Sequence, residues 1–383
     1  MKTLLATGFR PFFLLAAGHA VLSIALWAAM VAGFLPPALE PTVHWHVHEM
    51  LFGFTPAVVA GFLLTAVPNW TSTAPLSGRW LVVLIVAWLA GRVGAWNLGP
   101  GTTNAATVLS ALLFLPALAV AIARPILARA NRRNYAMPIL LLILAGAQAL
   151  FLVGGHPVRA ETLALDIYLV MLLVVGGRIT PLFTRNWLKR NDQPADDVGS
   201  PVVLDRAALA AVLLAAGLAQ ADVPLRLVGA ACVAAALLQA LRIPFWRGWR
   251  ALSDPLVAVL HVGHAWIVAA LLLRGAGLMT AGIPNRAWMH ALGIGAMGTL
   301  IIGVMARVTL GHTGRVLQVS RITAFAFGCV SLAALLRTLV AIGTLPRDPV
   351  LEASALAWVV AFALFGLSFY GPLTRPRVDG RPG

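Results

Sequence analysis

The stretch Tyr135-Ala136-Met137-Pro138-Ile139-Leu140-Leu141-Leu142-Ile143-Leu144-Ala145-Gly146-Ala147-Gln148-Ala149-Leu150-Phe151-Leu152-Val153-Gly154 carries no charged residue. About 20 apolar residues in helical form cross the hydrocarbon core of a bilayer. A helix bonds its own backbone polar groups, which lipid cannot do. This stretch therefore reads as a membrane-spanning helix, and similar runs recur along the whole chain. The 383 residues are 60% apolar and 11% charged, with a mean hydropathy of +0.89. Soluble domains run near half apolar and a quarter charged. No soluble domain is visible. The longest polar stretch, roughly residues 185–206, is too short to fold alone.

Apolar runs between breakers predict an all-α, polytopic integral membrane protein of about twelve helices, in a single transmembrane domain over 1–383. The expected spans are 12–34, 46–68, 80–97, 103–123, 135–154, 163–183, 204–220, 224–243, 255–274, 287–307, 320–343 and 351–370. A polar loop at about 184–203 divides them six and six, as in many transporters. The seventh and eighth are short and joined by a tight turn at Asp222 to Pro224, so eleven is the alternative count. The N-terminal run from Pro11 to Phe34 is too long for a signal-peptide core, and reads as a retained first helix.

The formal charge is +15. Lys2 and Lys189 are the only lysines, and the arginines lie singly or in short groups between apolar runs, which argues against nucleic acid as a partner. Orientation accounts for the excess instead, because cytoplasmic loops collect Lys and Arg. With both termini cytoplasmic, only eight of the 28 basic residues fall elsewhere: Arg92, Arg159, Arg178, Arg226, Arg274, Arg286, Arg337 and Arg347. Cys232 and Cys329 both sit within apolar spans, so neither a disulfide framework nor a CxxC zinc site is expected.

The histidines carry the chemical signal, since ionisable residues inside a membrane are functional candidates. The densest segment is Val43-His44-Trp45-His46-Val47-His48-Glu49-Met50, on the non-cytoplasmic side where the second span begins. On a helix His44 and His48 share one face, while His46 joins Glu49 and Met50 on another. In an extended segment all three imidazoles point the same way. Imidazole with thioether suits copper, and paired imidazoles suit haem iron. The bland alternative is a set of interfacial histidines bonded to water and headgroups. His261 and His264 are helix neighbours at depths of about 9 and 14 Å from Pro255, at about 1.5 Å of rise per residue. They would take a metal, a haem or a proton path, or else hydrogen bonds to Ser, Thr or backbone of another helix. His290 lies on the same side as the His44 to His48 segment and could complete a site with it. His312 belongs to the opposite surface, as a loop anchor or anion-binding turn.

Gly293 to Gly298 spells G-x-G-x-x-G, but in mid-membrane it cannot be a dinucleotide fingerprint. Its glycines instead let a neighbouring helix or a flat macrocycle approach. Arg178, in Gly176-Gly177-Arg178-Ile179-Thr180-Pro181, could pair with Asp166, meet a propionate or substrate anion, or snorkel to the surface. Walker A, G-x-S-x-G and H-E-x-x-H motifs are absent, so soluble-type nucleotide and hydrolase chemistry is unsupported.

Five segments together resemble the NnrS family. They are Phe9-Arg10-Pro11-Phe12-Phe13, the run from Trp45 to Phe54, Gly61 to Ala66 with Asn69-Trp70-Thr71, Gly176-Gly177-Arg178 with Phe183-Thr184-Arg185-Asn186, and Leu310-Gly311-His312-Thr313-Gly314-Arg315. The resemblance covers nearly the whole chain in order. It implies a twelve-helix bacterial inner-membrane protein holding haem, of the b type, and copper, associated with nitric oxide metabolism in denitrification and nitrosative-stress defence. The residues then suggest roles. His44, His46, His48, His261, His264 and His290 form the ligand pool, with Met50 as a further copper donor. Arg178 and Arg307 are propionate partners, and Glu49 and Asp166 are proton sources. Nitric oxide would be the substrate or ligand, and a quinol or redox protein the electron donor. A proton-coupled transporter of a small anion or metal complex is the rival reading, and a nitric oxide sensor without turnover is a third.

Overall fold

A computed structural model describes residues 3–35, 43–96, 104–280, 282–284 and 286–381. Among these residues there is no strand. The helices are α1 (Phe9–Val31), α2 (Val43–Thr71), α3 (Arg79–Ala95), α4 (Ala105–Ala128), α5 (Ala136–Val153) and α6 (Pro157–Arg190). They continue with α7 (Val202–Gln220), α8 (Leu225–Arg242), α9 (Pro255–Met279), α10 (Ala287–His312), α11 (Arg321–Ala341) and α12 (Val350–Thr374). Eleven of the twelve are long and apolar enough to cross a membrane; α3, with 17 residues, is the short one. The chain is a multi-pass helical membrane protein.

The expected spans match the helices one for one, but several ends move. The sixth, expected at 163–183, runs from Pro157 to Arg190. Polarity marks where a helix leaves lipid, not where its backbone bonds stop, so Arg185 to Arg190 continue the helix into the expected loop. The chain then folds back, with Leu188 buried against Ala195 and Val198. The expected ends at 97 and 103 lie outside the described residues.

By packing, the chain divides into two compact units. The first comprises Met1–Ala164, Met305–Leu317 and Phe362–Gly383; the second comprises Leu165–Val304 and Gln318–Ala361. In the first, α1 lies close along α2 because small residues face large ones. A Cβ on Gly61 would lie 2.6 Å from the Phe13 ring, and one on Gly8 would lie 2.4 Å from Leu64. Phe9, Phe12 and Phe13 are buried in this seam. Arg10 is fully buried, and its Nη1 donates to the carbonyls of Pro372, Leu373 and Arg375 at 3.3, 2.9 and 2.9 Å. These are carbonyls at the end of α12, left without helical partners and best met by a cation. The tail beyond is tied to the end of α10, where Arg377 donates to the His312 carbonyl at 2.7 Å and Val378 N–H to Thr313. The His312 ring meets Phe9 at 5.8 Å. His312 thus meets the tail through its carbonyl and α1 through its ring.

In the second unit the G-x-G-x-x-G glycines admit side chains of neighbouring helices. A Cβ on Gly295 would lie 2.5 Å from the Trp266 ring, and one on Gly298 2.7 Å from Trp358. The segment Ala291–Gly298 is itself π-helical, as is Glu49–Phe54 of α2. Single π turns inside α-helices are rare and occur frequently at functional sites.

Candidate functional site

The π turn of α2 organises the densest polar cluster of the first unit. Widening the helix loosens its carbonyls, and lipid offers no replacement partners. Here α3 supplies them, through two residues on one face at i, i+4. Trp88 Nε1 donates to the Gly53 carbonyl at 2.9 Å and Arg92 Nη1 to the Phe52 carbonyl at 3.1 Å. Thr55 adds its hydroxyl to the Met50 carbonyl at 2.8 Å. Gly53 makes room for the two, since a Cβ there would lie 2.9 Å from Arg92 Nη1 and 3.0 Å from His19 Nε2.

Glu49 is the first residue of the π turn and bonds its neighbour His48. Glu49 is 1% exposed and engages three side chains. Its Oε1 accepts from His48 Nδ1 at 2.8 Å, and its Oε2 meets Arg92 Nε at 2.8 Å and His19 Nε2 at 3.0 Å. The Arg92 charge balances the carboxylate. Taking one partner from such a buried pair costs about 3–5 kcal/mol. His48 is fully buried, and its Nε2 lies 3.1 Å from Gln148 Nε2 on α5. With Nδ1–H given to Glu49, the His48 Nε2 is a bare lone pair that accepts from the Gln148 amide. Gln148 Oε1 is buried with no hydrogen-bond partner among the described residues. An acceptor left so costs about 1–3 kcal/mol.

The remaining imidazoles of the segment divide. His44 shares the His48 face and stacks on Phe151 at 4.1 Å, the ring that His48 meets at 6.1 Å. His46 lies elsewhere, stacked on Trp27 at 4.5 Å. The three expected ligands therefore do not converge, although His44 and His48 keep their predicted common face. Among the described residues no three His, Cys, Asp or Glu side chains gather in a metal-binding arrangement.

In the second unit His261 and His264 face a matching pair on α6. Thr184 Oγ1 lies 2.9 Å from His261 Nε2 and Thr180 Oγ1 lies 3.1 Å from His264 Nε2. Thr184 spends its own proton on the Thr180 carbonyl at 2.9 Å, so it accepts from His261 and fixes the Nε2–H tautomer. His261 Nδ1 is left without a hydrogen bond against Gly248, where a Cβ would lie 2.5 Å away. Trp246 meets the His264 ring edge-on at 4.7 Å, with Arg242 over its face at 5.0 Å. Arg242 in turn binds Asp205 at 2.6 Å. The interhelical hydrogen bonds weighed as one reading of these histidines are what the structure forms.

Asp166 does not pair with Arg178. Both its carboxylate oxygens are taken by Arg274 of α9, which also lies 4.3 Å over the Trp288 ring. Twelve residues of α6 separate Asp166 and Arg178, whereas Arg274 arrives from a neighbouring helix. Arg178 is exposed, while Arg307 is buried in the first unit. His290 is half-buried on α10 in the second unit, and Met50 is half-buried on α2 in the first. Sequence reading missed His19, Arg92 and Gln148. Each is a polar residue in a largely apolar helix, the one signal that could have drawn notice to them.

No curated protein matches the chain. Residues 3–377 match the family described as NnrS protein, nearly the full length and spanning both units. The chain belongs to the NnrS family.

Proposed function

We propose that this protein binds haem and copper and handles nitric oxide by redox chemistry in a bacterial inner membrane, with both termini cytoplasmic. Family membership over residues 3–377 carries the reading, through the nitric oxide association that the resemblance implies. Nitric oxide partitions into lipid, so a site among helices meets it without a polar channel. Haem and copper would supply diatomic binding and electron transfer, and a quinol or redox protein the electrons.

The residues fit the two groups unequally. A metal-ligating histidine commonly gives its second ring N–H to a carboxylate, and His48 does so to Glu49. His48 suits copper on that ground. His261 and His264 do not suit haem iron as they stand, because both Nε2 atoms are taken by threonine hydroxyls. No haem ligand is assigned. In this reading Glu49 and Asp166 serve as fixed counter-ions of Arg92 and Arg274, not as proton stores.

The test is an optical spectrum of the detergent-purified protein, oxidised, reduced and exposed to nitric oxide, with parallel metal analysis. A Soret band that shifts with nitric oxide, alongside copper, is the expected result. The transporter reading draws on one observation, the two ion pairs buried within the helices, since paired charges at such depth also mark proton-coupled carriers. A featureless, metal-free spectrum from cells supplied with haem would favour it.

A further inference from the structure

Glu49, His48 and Gln148 form a directional series. Arg92 and His19 fix the carboxylate from one side, and Gly53 leaves room for both. The carboxylate then fixes the ring and tautomer of His48, so that Nε2 offers its lone pair toward α5. There it meets Gln148, which is 1% exposed and whose Oε1 has no hydrogen-bond partner among the described residues. The imidazole nitrogen thus takes an amide N–H of Gln148, while the oxygen of the same buried amide stands without a donor. A buried arrangement short of donors is one that a cation completes. Imidazole with an amide oxygen is a donor set that copper accepts.

We propose that His48 Nε2 and Gln148 Oε1 are a donor pair for copper, with Glu49, Arg92 and His19 as the residues that position it. A turn of the Gln148 amide exchanges its N–H for Oε1 and brings both acceptors to the ion. His44, half-buried and stacked on Phe151 one turn before His48, is the nearest further imidazole on that face. This rests on the copper part of the proposed function and adds what the sequence did not show: a glutamine as ligand, and a carboxylate behind the histidine.

The test is titration of the full-length, copper-stripped protein in detergent with cupric ion alone, read by affinity and by the paramagnetic resonance spectrum of the bound ion. Wild type should bind copper with imidazole nitrogen coupling. His48→Gln and Gln148→Leu should weaken binding by at least tenfold, while Gln148→Glu, which keeps an oxygen in place, should restore it. Glu49→Gln should weaken binding about 10- to 100-fold, the usual cost of losing a carboxylate behind a metal-bound histidine. Should Glu49→Gln fail to fold, the two Gln148 variants decide alone. Copper bound by wild type and equally by His48→Gln and Gln148→Leu would overturn the donor pair and leave the functional reading standing. A wild type that binds no copper would overturn both.

Discussion

Two buried histidine clusters, one in each unit, solve the same problem in different ways. In the first, His48 is backed by a carboxylate that is itself charge-balanced by Arg92, and its outward nitrogen faces an amide with an unused oxygen. In the second, the Nε2 atoms of His261 and His264 are taken by the hydroxyls of Thr184 and Thr180, His261 Nδ1 has no hydrogen bond, and among the described residues no acidic group is bonded to either ring. A hydroxyl satisfies one imidazole nitrogen at little electrostatic cost. A buried carboxylate requires a cation, a shaped pocket and a backbone distortion, here a π turn with donors from α3. The costlier arrangement is the one expected where the imidazole has chemistry to perform.

That contrast can be broken most strongly at Arg92. Arg92→Met should destabilise the protein by about 3–5 kcal/mol, because it strands Glu49 in the interior. Unfolding by denaturant in detergent measures it, and a loss as small as that from Thr184→Val would erase the distinction. Next is Gly53→Ala, whose methyl would press on Arg92 and His19. An overpacked site of this kind costs about 1–3 kcal/mol, and the same unfolding curve reports it. Thr184→Val should cost only about 0.6 kcal/mol, the mean for a hydrogen bond between membrane helices, and should leave copper content unchanged by metal analysis.

The smallest effect belongs to the tail. Arg377 holds the Asp379 carboxyl down to about 2, from an ordinary value near 3.8. A depressed carboxyl contributes above its unfolded value and loses that contribution as pH falls through the folded one. That contribution is present at neutral pH, so Asp379→Asn should lower the melting temperature there, by a small amount because the pair is solvent-exposed, and should change it less at acid pH; thermal scans at the two pH values measure it.

The helices were legible because lipid demands length and apolarity, and both are written into runs such as residues 135–154. The face shared by His44 and His48 was legible too, since it needs only the helical period. The place of Glu49 was not. Its partners Arg92 and His19 come from neighbouring helices, and the donors that meet the π-turn carbonyls, Trp88 and Arg92, lie more than thirty residues away. Gln148 was hidden for a similar reason: inside the run that identified the membrane helix it reads as one tolerated polar residue. Partners such as Arg274 for Asp166 also come from tertiary packing, which spacing along one helix cannot reveal.

The most direct test sets one histidine of each cluster against the other. Copper binding is measured on wild type, His48→Gln and His261→Gln, each purified, stripped and reloaded in the same way. The account predicts that wild type and His261→Gln bind copper alike and that His48→Gln does not. Loss in His261→Gln with full retention in His48→Gln would contradict it, and would place the metal chemistry in the second unit.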